Sequence, residues 1–308
     1  MKQIHLEYSD MVVNLPSIDY FIDRIKAGGT FQFVRANHGI LDLIYNAYRL
    51  NNDDFNYNEF KSDLHSKNYA KISEKVINSS NTEYNKLIQR WHTNSEKVVD
   101  KLAVFLKVFN EYNDISDKFH IGVSLGVGLN EFWGIWQREH PFQRGREAVF
   151  REFYNKRKYD YYYSGVLKYF SVTGEVSKIF TTLKECDYNV IFVGPDYMRL
   201  YKDKLNIENF HHINIPIGGA INFVDEYIEK IKDISKIKKT IVFYSIGHIL
   251  TFYMAHQLKD ENIIGIDAGR SFDILLKDKV QTEPTLTECW TKLDKEQLKA
   301  HINTIQNG

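Results

Sequence analysis

Asn189-Val-Ile-Phe-Val193 runs into Gly194-Pro195-Asp196, Thr240-Ile-Val-Phe-Tyr244 into Ser245-Ile-Gly247-His248, and Asn262-Ile-Ile-Gly-Ile266 into Asp267-Ala-Gly269-Arg270. A fourth short run, His212-Ile-Asn-Ile215, ends at Pro216 between the first two. Runs of this length, rich in β-branched and aromatic residues and apolar on both faces, alternate here with helix-length segments. That is the pattern of a buried parallel sheet. The fold class expected is therefore α/β, with a Rossmann-like, mostly parallel sheet flanked by helices.

In such a sheet, ligands bind in the crevice beyond the carboxyl ends of the strands. Glycine there lets backbone approach a phosphate, and the next helix offers free N–H groups at the positive end of its dipole. Any one of these turns is equally well a plain strand stop. Three on one edge point to a nucleotide or phosphate site.

Working outward, the chain has 308 residues, 40 Lys plus Arg and 40 Asp plus Glu. Zero net charge argues against a general polyanion binder. Its two cysteines, Cys186 and Cys289, are far apart and lack neighbours at metal-ligand spacing, which excludes a disulfide scaffold or zinc ribbon. There is no apolar run of about 18 residues and no signal core at the start, so the expectation is a cytoplasmic protein without a membrane span. One domain over 1–308 is expected, with a helical insertion or covering layer at about 56–113 and a helical tail at about 277–308.

A helix is predicted over 17–27, capped by Ser17, with Ile18, Phe21, Ile22 and Ile25 on one face. Thr30–Val34 reads as the first strand, and Arg35 and His38 follow it where ligands are met. An internal ion pair for Arg35 and a turn position for His38 fit equally well. Phe119–Ser124 reads as a strand entering Gly126-Val-Gly128, half of a dinucleotide or S-adenosylmethionine loop. Ser164–Phe170 reads as another strand.

From Arg138 to Lys158 there are seven bases against three acids, a local excess of +4 in a neutral chain. Aromatics are interleaved, Trp133, Trp136 and Phe142 among them. Cationic forks beside flat rings suit a stacked glycan or single-stranded nucleic acid. A solvated helix whose Arg stems cover core rings would look the same.

The organising stretch resembles the GT-D-type glycosyltransferases of bacterial glycoprotein and surface-glycan synthesis. That family's strand ends are matched by Phe192-Val-Gly-Pro195, by Ile213-Asn-Ile-Pro216 with Ala220 and Phe223, by Ser245-Ile-Gly-His248 and by Ile266-Asp-Ala-Gly269. The N-terminal signature, Arg-aromatic-Gly-Asp-Gly-Glu, is echoed by Arg35-Ala-Asn-His38-Gly39-Ile40, with His38 and Ile40 where the family has its acidic pair.

The resemblance implies transfer of a sugar from a nucleotide-sugar donor, a UDP-sugar first, to a hydroxyl acceptor. The acceptor is a glycan or, as the lesser alternative, a hydroxylated base in modified DNA. It implies donor-binding roles for Arg35, Gly194, Pro195, Ser245, Gly247, His248, Gly269 and Arg270. His38 is then the catalytic base or a hydrogen bond to the leaving phosphate, and Asp267 is the base instead or holds ribose hydroxyls, as acids do in related sheets. Trp136, Arg144 and Arg146 are the candidate acceptor contacts. Loss of the acidic pair means that a divalent-metal mechanism is not carried over. The competing readings are an S-adenosylmethionine-dependent methyltransferase using Gly126 and Gly128, and a non-catalytic nucleotide binder.

Overall fold

The computed structural model describes residues 2–5, 11–36, 38–50, 55–79, 95–111, 118–123, 148–154, 160–216 and 218–279. Among them runs one nine-stranded sheet. Its strands are β1 (Lys2–His5), β2 (Val12–Leu15), β3 (Phe31–Ala36), β4 (Phe119–Val123), β5 (Tyr162–Tyr163), β6 (Asn189–Gly194), β7 (Phe210–Asn214), β8 (Thr240–Tyr244) and β9 (Ile263–Asp267). Their order across the sheet is β1-β2-β5-β4-β3-β9-β8-β6-β7, and every pairing except β1 with β2 is parallel.

The order explains where a crevice forms. After β6 the chain moves outward to β7, then returns across β6 to β8 and continues inward to β9. The connections diverge between β6 and β8, which opens space at the carboxyl ends of the strands. The pairing of β3 with β9 then brings residues near 35 beside residues near 267.

Each face of the sheet has its own helical cover. The helices are α1 (Ile18–Ala27), α2 (His38–Ala47), α3 (Tyr57–His65), α4 (Tyr69–Asn78), α5 (Ser95–Asn110), α6 (Val166–Thr173), α7 (Val176–Glu185), α8 (Tyr201–Leu205), α9 (Val224–Ser235) and α10 (His248–Gln257). Alternation along the strands puts Phe33, Phe192, Phe243 and Ile266 on one face. There Phe21 of α1 meets Phe33, and Phe180 of α7 meets Phe243. On the other face Phe252 of α10 packs against Phe119, and Phe105 of α5 lies edge-on to Phe252 at 4.5 Å. The apolar face of α5 thus closes over α10. No helix among the described residues is long and apolar enough to cross a membrane.

Three local expectations are corrected. Thr30–Val34 marks the third strand, because a short antiparallel pair, β1 and β2, precedes it at the sheet edge. Four-residue strands carry too few residues for alternation to stand out. Ser164–Phe170 is a turn followed by α6, with Val166, Leu167 and Phe170 buried at helical spacing; the strand there is only Tyr162–Tyr163. Ser17 occupies the cap position of α1, yet its side chain makes no capping bond.

Candidate functional site

Arg35 does not sit in a loop after its strand. It is the fifth residue of β3 and buried, and Asp267 is the last residue of β9 and buried. Arg35 Nη2 donates to Asp267 Oδ1 at 2.7 Å. The β3–β9 pairing makes this contact possible, although 232 residues separate the two in sequence. Burial pushes the Asp267 carboxyl up, and the adjacent Arg35 charge and hydrogen bond pull it down, with burial the larger effect.

Tyr244, the last residue of β8, is the register partner of Asp267, so their side chains share a face. Burial, with the Asp267 charge adding to it, raises the Tyr244 phenol and keeps it a neutral hydroxyl. Tyr244 had no place in the sequence reading, since the last aromatic of an apolar run looks like core. What sets it apart is its alignment with Asp267, a property of the sheet.

The next turn begins α10. Gly247 is exposed, with φ 83° and ψ 157°, backbone angles that are essentially restricted to glycine. A Cβ built there would have no atom of the described residues within 4 Å, so with respect to them this turn faces open space. The first-turn N–H groups of α10 have no acceptor within the helix and point outward with the positive dipole end.

His248 follows, with its Nδ1 enclosed and the backbone of Arg35 within hydrogen-bond reach of its ring. Burial, then the Arg35 charge, lowers its pKa to about 3. It is therefore a neutral imidazole near pH 7. As a neutral ring it offers hydrogen bonds and no charge.

The other two glycine turns are filled by protein. At Gly194 a Cβ would lie 2.5 Å from Met198 Sδ and 3.0 Å from the Ser245 Cβ. At Gly269, with φ 50°, it would lie 1.9 Å from Arg35 Nη2, so this glycine makes room for the guanidinium. Gly269 N–H also donates to the Tyr244 carbonyl at 2.9 Å, tying the turn after β9 to the end of β8. Ser245 is half-buried, and its N–H donates to the Val193 carbonyl at 2.8 Å. The Gly194 and Pro195 carbonyls both accept from His212 Nε2–H, each at 3.2 Å.

Arg270 turns away to the fully buried Asp273, donating from Nε at 2.9 Å. Asp273 also accepts from Tyr197 and Tyr201. That cluster fastens the turn after β9 to the segment after β6, and no short motif in the sequence signals it.

The candidates thus divide. Arg35, Ser245, Gly247, His248, Asp267 and Gly269 converge at the ends of β3, β8 and β9. Gly194 and Pro195 lie at the end of β6, and Arg270 at the rim. His38 is the first residue of α2, and its side chain is outside the described residues, as are Trp136, Arg144, Arg146, Gly126 and Gly128. Ile40, where the resembled family has the second acid, is buried and apolar. Among the described residues no three His, Cys, Asp or Glu side chains group as metal ligands. A cavity of about 360 Å³ lies at the opposite, amino edge, lined by Asp187, Tyr188, Asn206 and Asn209.

Solved structures similar to this chain include a glycosyltransferase of domain of unknown function 1792 from Streptococcus sanguinis. The two are 13% identical, with 88% of this chain and 85% of that one covered and a TM-score of 0.47. Another, described as domain of unknown function 1792 with a distinct glycosyltransferase fold, is 13% identical over 88% of this chain and 82% of that one, with a TM-score of 0.42. No protein-family model and no curated protein matches the chain.

Proposed function

We propose that the chain is a glycosyltransferase whose nucleotide-sugar donor, a UDP-sugar first, binds at the carboxyl ends of β3, β8 and β9. One observation carries the reading. No described residue lies against Gly247 at the start of α10, and the next residue, His248, faces Arg35 of the buried Arg35–Asp267 pair, so an anion site adjoins an ionisable site at the carboxyl ends of the strands. The motifs that resemble the GT-D-type family fall on this edge.

In this reading the amides of the Gly247 turn and α10 hold the diphosphate and stabilise charge on the leaving nucleotide. Arg35 is partly neutralised by Asp267 and serves to hold that carboxylate in place. A base must take the acceptor proton as the new bond forms. His38, the first residue of α2, is one candidate for that role; Asp267 is the other, unless it instead holds a hydroxyl of the donor. No divalent ion is assigned a part, because Ile40 has no ligand atom. The acceptor is a glycan hydroxyl, met by the basic, aromatic segment around Trp136, Arg144 and Arg146.

Thermal-shift measurements test the donor. Stabilisation by UDP or a UDP-sugar, with none by S-adenosylhomocysteine, supports the reading; the reverse pattern would establish the methyltransferase alternative.

A further inference from the structure

Among the enclosed polar atoms without a hydrogen-bond partner in the described residues are Tyr244 OH, Asp267 Oδ2, Arg35 Nε and His248 Nδ1, at the ends of β3, β8 and β9 and the start of α10; Gln32 Oε1 of β3 and Thr251 Oγ1 of α10 are others. Register places the Tyr244 and Asp267 side chains next to each other, and Arg35 is bonded to Asp267 through Nη2. Tyr244 and Asp267 are only 0% and 3% exposed. Folds seldom keep such atoms unpaired, and a cluster of them asks for a use.

Their hydrogen-bonding characters narrow what completes them. The Tyr244 phenol and Arg35 Nε offer hydrogens, whereas the ion-paired Asp267 Oδ2 only accepts. A phosphate oxygen also only accepts and would be repelled by Asp267. An alcohol both donates and accepts.

We propose that this set reads an alcohol hydroxyl of the donor, which donates to Asp267 Oδ2 and accepts from Tyr244, and that Tyr244 is a specificity residue. The proposal rests on the nucleotide-sugar reading of the same edge. The division of labour follows from charge: the α10 amides take the diphosphate, and the neutral Arg35–Asp267 pair takes a hydroxyl of the ribose or of the sugar.

Tyr244→Phe removes one oxygen and keeps the ring. Because that hydroxyl makes no bond to the described protein, the ligand-free variant should melt at the wild-type temperature or above it. Titration calorimetry with UDP, its 2′-deoxy and 3′-deoxy analogues and UDP-glucose then reads recognition.

The wild type should bind one hydroxyl-bearing ligand about tenfold or more tighter than its matched partner, and Tyr244→Phe should lose most of that ratio. Loss of the preference for UDP over a deoxy analogue assigns the hydroxyl to ribose; loss of the preference for UDP-glucose over UDP assigns it to the sugar. Equal ratios in the two proteins would overturn the proposal while leaving UDP binding, and the donor reading, in place. If the wild type bound none of the four, the donor reading would fall as well. A lower melting temperature with unchanged ratios would make Tyr244 a structural residue only.

Discussion

Replacing Arg35 with Met keeps most of the buried stem and removes the charge that faces Asp267. In the wild type the two groups are 2.7 Å apart, with side-chain exposures of 11% and 4%. Removing one partner of such a pair typically costs about 3–5 kcal/mol, because the other charge stays buried and uncompensated. At about 2 °C per kcal/mol for a long chain, the melting temperature should fall by roughly 6–10 °C near pH 8.

The penalty has a definite pH dependence. Burial already raises the Asp267 carboxyl, and Arg35 is the main influence holding it down. Without Arg35 the folded-state pKa moves further up. A carboxyl raised on folding contributes stability that is present below its unfolded pKa and is lost as pH rises through the folded one. The variant loses this contribution over a wider range than the wild type, so the difference between them grows with pH, by about 1.4 kcal/mol for each unit separating their folded pKa values. Melting temperatures of both proteins at pH 5 and pH 8 give the result. A penalty that is equal at the two values, or larger at pH 5, would refute the argument that Asp267 is the buried partner left behind.

Gly269→Ala should cost about 1–3 kcal/mol in the wild type, since its Cβ meets Arg35 Nη2; in an Arg35→Met background the cost should shrink, and additive losses of stability would contradict this contact. Gly247→Val meets open space but forces a side chain onto φ 83°, so about 1–3 kcal/mol of strain should accompany at least tenfold weaker UDP binding; unchanged affinity in the folded variant would move the diphosphate elsewhere. Transfer assayed with excess chelator should continue, and activity abolished by chelator and restored by magnesium or manganese would show that another ligand set holds a metal. Arg144→Ala with Arg146→Ala should weaken glycan-acceptor use while donor binding holds. Tight duplex-DNA binding by the wild type, falling with salt by a log–log slope of about 0.9 per phosphate contact and lost in this variant, would instead favour the nucleic-acid acceptor.

The sequence by itself determined the fold class and the edge to inspect. β6, β8 and β9 are apolar on both faces, and a buried parallel strand leaves that mark in local composition. The turns that end them are legible because glycine and proline act on the backbone within a few residues. What those glycines accommodate was not legible. Gly194 makes room for Met198, Gly269 for Arg35, and Gly247 alone of the three faces open space; each outcome depends on a neighbour supplied by another segment.

The ion pair and the electrostatics of the site needed the tertiary structure for the same reason. Only the β3–β9 pairing makes Arg35 and Asp267 neighbours, and burial beside that arginine is what lowers the His248 pKa. Tyr244 reads as core in a string of letters and becomes a candidate ligand contact once β8 lies in register with β9. Periodicity and turn chemistry are written in consecutive residues, whereas the charge state and partners of a side chain are set by whatever the fold brings against it.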